Sequence, residues 1–290
     1  MSATRPILDL FRDHRRSFED NHYVYAVISR RSRGLSVGIN LNPDKACNFD
    51  CVYCQVDRRN PPQIREVDLT RLRLELEEMI GLARSGAVFE LPRFRHTPVH
   101  LRRWNDLAIS GDGEPTAARE FLEAVRLIVE VKRKHQLDGI PILLLTNATL
   151  LHRPQVQQAL SLLDENEGEI WAKLDAGTTD YYHEIERTSI PFERVLDNLK
   201  QAAQHRPIVI QSLFLRWRGQ APEAREIEAY CQRLREIVEA GGQIRLVQVY
   251  TVARTPAEAE ALPLNDAELE SLAHIVRLRT GLLVEAYPGG

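Results

Sequence analysis

The stretch IPILLLT, residues 140–146, is a continuous run of apolar residues that ends in a threonine. A strand that is buried on both faces of a parallel sheet has this composition. On both sides of the stretch, short apolar runs alternate with longer segments in which apolar residues recur at helical spacing. This alternation predicts an α/β fold in which helices connect parallel strands.

The same pattern can be followed through most of the chain. Predicted strands lie at 35–41, 107–110, 140–146, 169–175, 207–215, 243–250 and 282–287. Predicted helices lie at 66–84, 118–135, 153–163, 191–204, 222–239 and 265–279. About six repeats predict a partial (β/α)6 barrel of the TIM type with parallel strands, and in such folds the site lies at the C-terminal ends of the strands.

We predict a single domain over residues 1–290, with an N-terminal extension at 1–33 and an irregular insert at about 85–105. The insert is long for a connection between a helix and a strand. It is rich in arginine and histidine, which can bind phosphate groups. The insert could bind substrate or be a structural flap, and both interpretations stay open. A run of charges is by itself more often a solvated face.

Composition excludes some classes of protein. The net charge of −3 gives no general sign of nucleic-acid binding. No apolar run approaches the roughly 18 residues of a membrane span, and the N-terminus lacks the apolar core of a secretory signal. We therefore expect a cytoplasmic protein that does not bind membranes.

Three of the four cysteines lie within eight residues, as Cys47, Cys51 and Cys54 in the spacing C-x3-C-x2-C. Thiolates are soft ligands that suit iron–sulfur clusters. Three cysteines can bind three irons of a [4Fe–4S] cluster and leave the fourth iron open to a chelating molecule. A zinc site is the alternative, and it requires a fourth ligand. Cys231 lies on an apolar helix face and is predicted to be structural.

This loop resembles the signature of the radical S-adenosylmethionine superfamily, in which an aromatic residue, here Tyr53, precedes the third cysteine. The segment SGDGEPT at 110–116 is similar to the Gly-Gly-Glu-Pro motif of that superfamily, with Asp112 in place of a glycine. The order of motifs over about 34–256 most resembles the branch that contains 4-demethylwyosine synthase. That enzyme carries a second cluster on cysteines upstream of the signature, and this chain has no cysteine before Cys47.

The resemblance implies one [4Fe–4S] cluster per chain, on Cys47, Cys51 and Cys54, and S-adenosylmethionine as the second cofactor. It implies that Tyr53 approaches the adenine. The remaining cofactor-binding candidates are polar residues and glycines that follow or end predicted strands. They are Gly111, Asp112, Gly113 and Glu114 for the methionine amino group, Asn147 for the ribose or carboxylate, Lys173 for the carboxylate, with Asp175 as its partner, and Gln211.

The resemblance also implies an enzyme in which an electron cleaves S-adenosylmethionine to a 5′-deoxyadenosyl radical that abstracts hydrogen from a substrate. A reductant such as flavodoxin or ferredoxin would supply the electron, and the substrate would be a nucleoside in RNA. The alternatives are an activating enzyme that makes a glycyl radical on a partner protein, a non-catalytic electron-transfer or sensor protein, and a zinc-dependent RNA-binding module. No side chain is predicted to be catalytic.

Overall fold

A computed structural model describes residues 18–289. The strands are β1 (Val24–Ser29), β2 (Gly34–Ile39), β3 (Trp104–Ile109), β4 (Ile142–Thr146), β5 (Gly168–Lys173), β6 (Ile208–Leu213), β7 (Leu215–Trp217), β8 (Ile244–Tyr250), β9 (Ala261–Pro263) and β10 (Val284–Tyr287). The helices are α1 (Leu69–Ser85), α2 (Phe121–Lys134), α3 (Pro154–Asp164), α4 (Thr179–Glu186), α5 (Phe192–His205), α6 (Ala224–Glu239) and α7 (Asp266–Thr280). Every predicted strand and helix is found within a few residues of its predicted bounds.

The strands form a large sheet with the order β1-β2-β3-β4-β5-β6-β8-β10, and β7 and β9 form a separate antiparallel pair. Strand β1 is antiparallel to β2, whereas β3 and β10 run parallel to their neighbours β2 and β8. The predicted α/β class with a mainly parallel sheet is confirmed. Strand β1 is an addition, because it lies in the segment that the sequence analysis assigned to an extension at 1–33. The first 17 residues of that extension lie outside the described residues.

Within the described part, the chain divides into two compact units. The first unit consists of residues 18–46, 61–144 and 154–169, and the second consists of residues 47–60, 145–153 and 170–289. The cysteine loop, residues 47–54, belongs to the second unit, and the SGDGEPT segment belongs to the first. The single domain expected from the sequence stays a prediction.

In the first unit, a buried carboxylate anchors the start of β1. Glu75 on α1 is 5% exposed and accepts hydrogen bonds from the backbone N–H groups of His22 (2.8 Å), Tyr23 (2.8 Å) and Val24 (3.1 Å). Asp68 caps the N-terminus of the same helix through Thr70 N at 2.8 Å. These polar contacts satisfy backbone groups that would otherwise be costly to bury.

The insert at 85–105 folds as two short 3-10 turns, Ala87–Glu90 and Val99–Leu101, in the first unit. Arg102 donates to the carbonyl of Thr97 at 2.8 Å and to that of Arg95 at 2.7 Å. This arginine therefore stabilises the insert itself, which favours the structural interpretation for that side chain. None of the helices within residues 18–289 has the length and apolar composition needed to cross a bilayer.

In the second unit, helix α6 supports the loop that follows β5. Glu226 accepts from the backbone N–H of Gly177, and from Thr178 through its N–H (3.2 Å) and its hydroxyl (2.6 Å). A Cβ on Gly177 would lie 2.0 Å from the backbone nitrogen of Tyr230, so only glycine allows this close contact. Cys231 is fully buried on α6, which agrees with a structural residue.

Candidate functional site

The cysteine loop is held by the C-terminal end of α4. Asp50 N donates to the carbonyl of Glu186 (3.0 Å), and Val52 N donates to that of Ile185 (2.9 Å). The last carbonyls of a helix lack partners within the helix, so they can bind the backbone of another segment. The sequence analysis did not predict α4. Its detectable signal is Thr178, whose hydroxyl caps the helix by accepting from Tyr181 N at 3.3 Å.

A cluster of buried polar side chains lies beside this loop in the second unit. Tyr53 donates its hydroxyl hydrogen to Asp175, and Lys173 Nζ donates to the same hydroxyl at 3.3 Å. The Lys173 ammonium lies 4.9 Å from the centre of the Tyr53 ring. The thiol of Cys51 donates to Oε2 of Glu186 at 2.7 Å. The structure therefore brings the predicted residues Cys51, Tyr53 and Lys173 together and adds Glu186, which the sequence analysis missed.

Burial and the mutual charges of these groups shift their pKa values. Burial and the nearby carboxylate of Asp175 raise the pKa of Glu186 to about 8. Burial and the charge of Glu186 also raise the pKa of the Cys51 thiol. Burial lowers the pKa of Lys173, but the neighbouring acidic groups Cys51, Tyr250 and Asp175 favour its ammonium form and raise that pKa well above its usual value. Lys173 therefore presents a cation beside the cysteine loop.

Asn147 ties the cysteine loop to the segment that follows β4. Its amide donates to Oδ1 of Asn48 at 2.7 Å, and Asn48 Nδ2 donates to the hydroxyl of Thr149 at 2.7 Å. That hydroxyl donates back to Oδ1 of Asn147 at 2.7 Å, which closes a ring of three side chains. Asn147, predicted as a cofactor ligand, thus contacts the segment between the first two cysteines.

Gln211 is buried and pairs with a second glutamine on the neighbouring strand. Its Nε2 donates to Oε1 of Gln248 at 2.8 Å, and both side chains are 1% exposed. Lys173, Gln211 and Gln248 occupy one register row across β5, β6 and β8. Gln248 was not singled out from the sequence, although a polar residue inside the apolar strand VQVY is a signal that could have found it.

In the first unit, the glycines of the SGDGEPT segment are required by close packing. A Cβ on Gly111 would lie 2.0 Å from Oδ1 of Asn40, and a Cβ on Gly113 would lie 1.8 Å from the carbonyl oxygen of Ala46. Neither glycine has a positive φ. The turn therefore needs glycine because there is no room for a side chain, and not because the backbone is left-handed. The space beside each glycine is filled by other residues of this chain.

Asn40 explains how the turn accepts Asp112 where the superfamily motif has a glycine. Asn40 Nδ2 donates to Oδ2 of Asp112 at 2.8 Å, and Asp112 N donates to Oδ1 of Asn40 at 3.1 Å. Asp112 is not among the residues with positive φ, so a side chain causes no backbone strain here. Glu114 is 2% exposed and accepts from Thr116 N at 3.2 Å and from the Thr116 hydroxyl. The predicted group from Gly111 to Glu114 is thus a single pre-formed turn.

The chemistry of these side chains fits the cofactors that the motifs imply. Cys47, Cys51 and Cys54 form no disulfide within the described residues and are half-buried on one loop, and three thiols are a suitable ligand set for iron. Within residues 18–289, no group of three or more His, Cys, Asp and Glu side chains is arranged as metal ligands around one point. In the first unit, the buried carboxylate of Glu114, held at the end of a tight turn, fits an ammonium-bearing ligand.

Comparison with solved proteins establishes the class of fold. A structure described as TYW1 with a lysine–pyruvate adduct bound is 15% identical in sequence, with a TM-score of 0.52, over 94% of this chain and 81% of that chain. The predicted partial barrel is thereby confirmed, and the chain shares the fold of TYW1, in agreement with the resemblance noted in the sequence. At this identity the likeness concerns the fold.

The chain belongs to the UPF0026 family. It is 30% identical over 213 residues to the UPF0026 protein slr1464 of Synechocystis sp., a match that covers 71% of this chain and 69% of that protein. It is also 32% identical over 148 residues to a UPF0026 protein of Helicobacter pylori, covering 50% of this chain and 41% of that protein. The chain spans less than half the length of the first relatives that it matches. No protein-family model matches it.

Proposed function

We propose that this chain is a radical S-adenosylmethionine enzyme. The observation that carries the proposal is the cysteine loop, in which three half-buried thiols lie on a segment fixed by backbone hydrogen bonds to α4. The TYW1 fold and the two motifs in their order along the chain support it. When bound, a [4Fe–4S] cluster supplies the electron that cleaves S-adenosylmethionine to a 5′-deoxyadenosyl radical.

The side chains divide this work between binding and orientation. Cys47, Cys51 and Cys54 hold the cluster and leave one iron for the cofactor. Tyr53 is held through its hydroxyl by Asp175 and Lys173, which fixes the direction of the side chain for contact with the adenine. The Lys173 ammonium is suited to bind a carboxylate.

Glu114 is suited to accept from the ammonium group of the methionyl end, because its carboxylate is already fixed by Thr116. Asn147 stays a candidate cofactor ligand, and it also orients the cysteine loop through Asn48. Gln211 stays a candidate ligand, now as one half of a glutamine pair.

We propose a nucleoside in RNA as the substrate, and flavodoxin or ferredoxin as the electron donor. The motif order that resembles the 4-demethylwyosine synthase branch supports the substrate class, because that enzyme acts on transfer RNA. A cytoplasmic location follows from the need to keep three thiols reduced. Activation of a partner protein by making a glycyl radical is the alternative for the substrate.

Anaerobic reconstitution with iron and sulfide tests the cluster assignment. We expect a brown protein with about four irons per chain, and loss of the cluster in Cys47→Ala, Cys51→Ala and Cys54→Ala variants. A colourless protein that binds one zinc would favour the RNA-binding alternative. A coloured protein that does not bind S-adenosylmethionine would favour an electron-transfer or sensor protein.

A further inference from the structure

Asn42, three residues after the end of β2, carries a buried side-chain acceptor without a partner in the described part of the chain. Its side chain is 2% exposed, and within the described residues its Oδ1 has no hydrogen-bond partner. A buried amide oxygen of this kind costs free energy unless something donates to it. The backbone of Asn42 is fully engaged, because its N–H donates to Oδ1 of Asn40 (3.0 Å) and its carbonyl accepts from Lys45 N (2.9 Å).

Asn42 lies against the glycine turn of the first unit. A Cβ on Gly113 would lie 2.8 Å from the Cβ of Asn42 and 1.8 Å from the carbonyl of Ala46. The Asn40 side chain that binds the backbone of Asn42 also binds Asp112, through both the oxygen and the nitrogen of its amide. Asn42, with its unpartnered oxygen, therefore belongs to the group of residues packed against the turn from Gly111 to Glu114.

We propose that Asn42 is a further binding residue of this turn, whose carboxamide oxygen accepts a hydrogen bond from a primary ammonium group. Glu114 supplies a negative charge for such a group, and Asn42 supplies a neutral acceptor that adds no further charge to the turn. The inference rests on the proposed function, because the methionyl end of S-adenosylmethionine carries the ammonium group that the turn would receive.

The test compares stability and binding in Asn42→Leu, which has nearly the same size and lacks the acceptor. An orphan acceptor stabilises nothing until its ligand binds, so we expect the unliganded variant to unfold at the wild-type temperature or above it. On anaerobically reconstituted protein, affinity for S-adenosylmethionine should fall about ten- to a hundredfold. Affinity for 5′-methylthioadenosine, which lacks the amino-acid end, should not change.

Two variants serve as controls. Thr97→Val removes another buried oxygen without a partner, in the insert of the same unit, and should leave S-adenosylmethionine binding unchanged. Asn42→Asp keeps an acceptor and buries a charge, so it should bind S-adenosylmethionine while its unliganded form loses stability.

Three results with Asn42→Leu would overturn the inference. The variant could bind S-adenosylmethionine as tightly as wild type, or lose affinity for S-adenosylmethionine and 5′-methylthioadenosine equally. It could also be less stable than wild type without ligand. Loss of binding in Asn42→Asp equal to that in Asn42→Leu would do the same. Wild-type protein that carries its cluster but fails to bind S-adenosylmethionine would instead refute the proposed function.

Discussion

The glycine turn of the first unit and the cysteine loop of the second unit are stabilised by different means. The turn at 111–114 rests on the amide of Asn40, which binds Asp112, and on contacts so close that no Cβ fits at either glycine. The cysteine loop is surrounded by charged groups, with Lys173, Asp175 and Glu186 linked through Tyr53 and Cys51.

The difference indicates how each region should respond to change. A region fixed by close packing is sensitive to added volume and insensitive to the loss of a hydroxyl group. A region fixed by buried charges is sensitive to the loss of any one partner, because the remaining groups are left unsatisfied. The variants below test this distinction, from the largest expected effect to the smallest.

Gly113→Ala should have the largest effect. Its new Cβ would lie 1.8 Å from the carbonyl of Ala46, so the backbone must move, at a cost of about 3 kcal/mol or more of unfolding free energy. Gly81→Ala is the control, because that helical glycine has nothing within 4 Å of its Cβ position and should gain up to about 1 kcal/mol. Urea unfolding measures both. Equal stability of the two variants would refute the packing argument for the turn.

Asp106 on β3 tests a buried carboxyl of the first unit whose pKa is raised by burial. Burial raises its pKa from 3.8 to about 6, and a hydrogen bond from Ser36 opposes the shift. The folded state therefore binds this proton more tightly, so the free energy of unfolding should fall as pH rises from about 4 to about 6, by about 3 kcal/mol at most.

Unfolding measured across that range should show the slope in wild type and a flatter profile in Asp106→Asn. The exposed Asp138→Asn variant is the control and should keep the wild-type slope. A slope that is the same in Asp106→Asn would mean that other groups cause it.

Glu114→Gln tests the charged side chain of the glycine turn. It should keep the cluster but bind S-adenosylmethionine about ten- to a hundredfold more weakly, because one charge-assisted hydrogen bond worth roughly 1.5–3 kcal/mol is lost. Isothermal titration under anaerobic conditions measures the affinity, with the exposed Glu123→Gln as control. Unchanged affinity would remove Glu114 from the site.

Tyr53→Phe and Tyr182→Phe form a matched pair within the second unit. The Tyr53 hydroxyl bonds to Asp175 and Lys173, so its loss should cost about 1–3 kcal/mol in protein without cluster. The Tyr182 hydroxyl is buried with no partner in the described part of the chain, so its loss should change stability by less than about 0.5 kcal/mol. A larger loss for Tyr182→Phe would contradict this description of the cysteine loop.

The sequence predicted the parts of both regions that lie within short motifs. The three cysteines, Tyr53 and the turn from Gly111 to Glu114 are recognisable because their spacing is local. The parallel strands could also be predicted, because apolar runs such as 142–146 are typical of buried strands. Strand β1 was missed although its sequence, VYAVIS, is apolar and β-branched, because it was assigned to an extension.

The supporting residues could not be predicted, because their roles depend on distant parts of the chain. Glu186 meets Cys51 across 135 residues of sequence, and Asn40 meets Asp112 across 72. From the sequence alone, Glu186 and Asn40 would each be interpreted as a solvated polar side chain. Gln211 was recognised as polar within an apolar strand, but its partner Gln248 is identified by the pairing register of β6 and β8.

The formation of 5′-deoxyadenosine from S-adenosylmethionine tests the central claim most directly. Reconstituted wild-type protein, Cys51→Ala and Cys231→Ala are incubated anaerobically with dithionite and S-adenosylmethionine, and the product is measured by mass spectrometry. We expect product from wild type and from Cys231→Ala, whose cysteine is buried in α6, and none from Cys51→Ala. Product formation in Cys51→Ala equal to wild type, or no product from wild-type protein that carries its full cluster, would contradict the account.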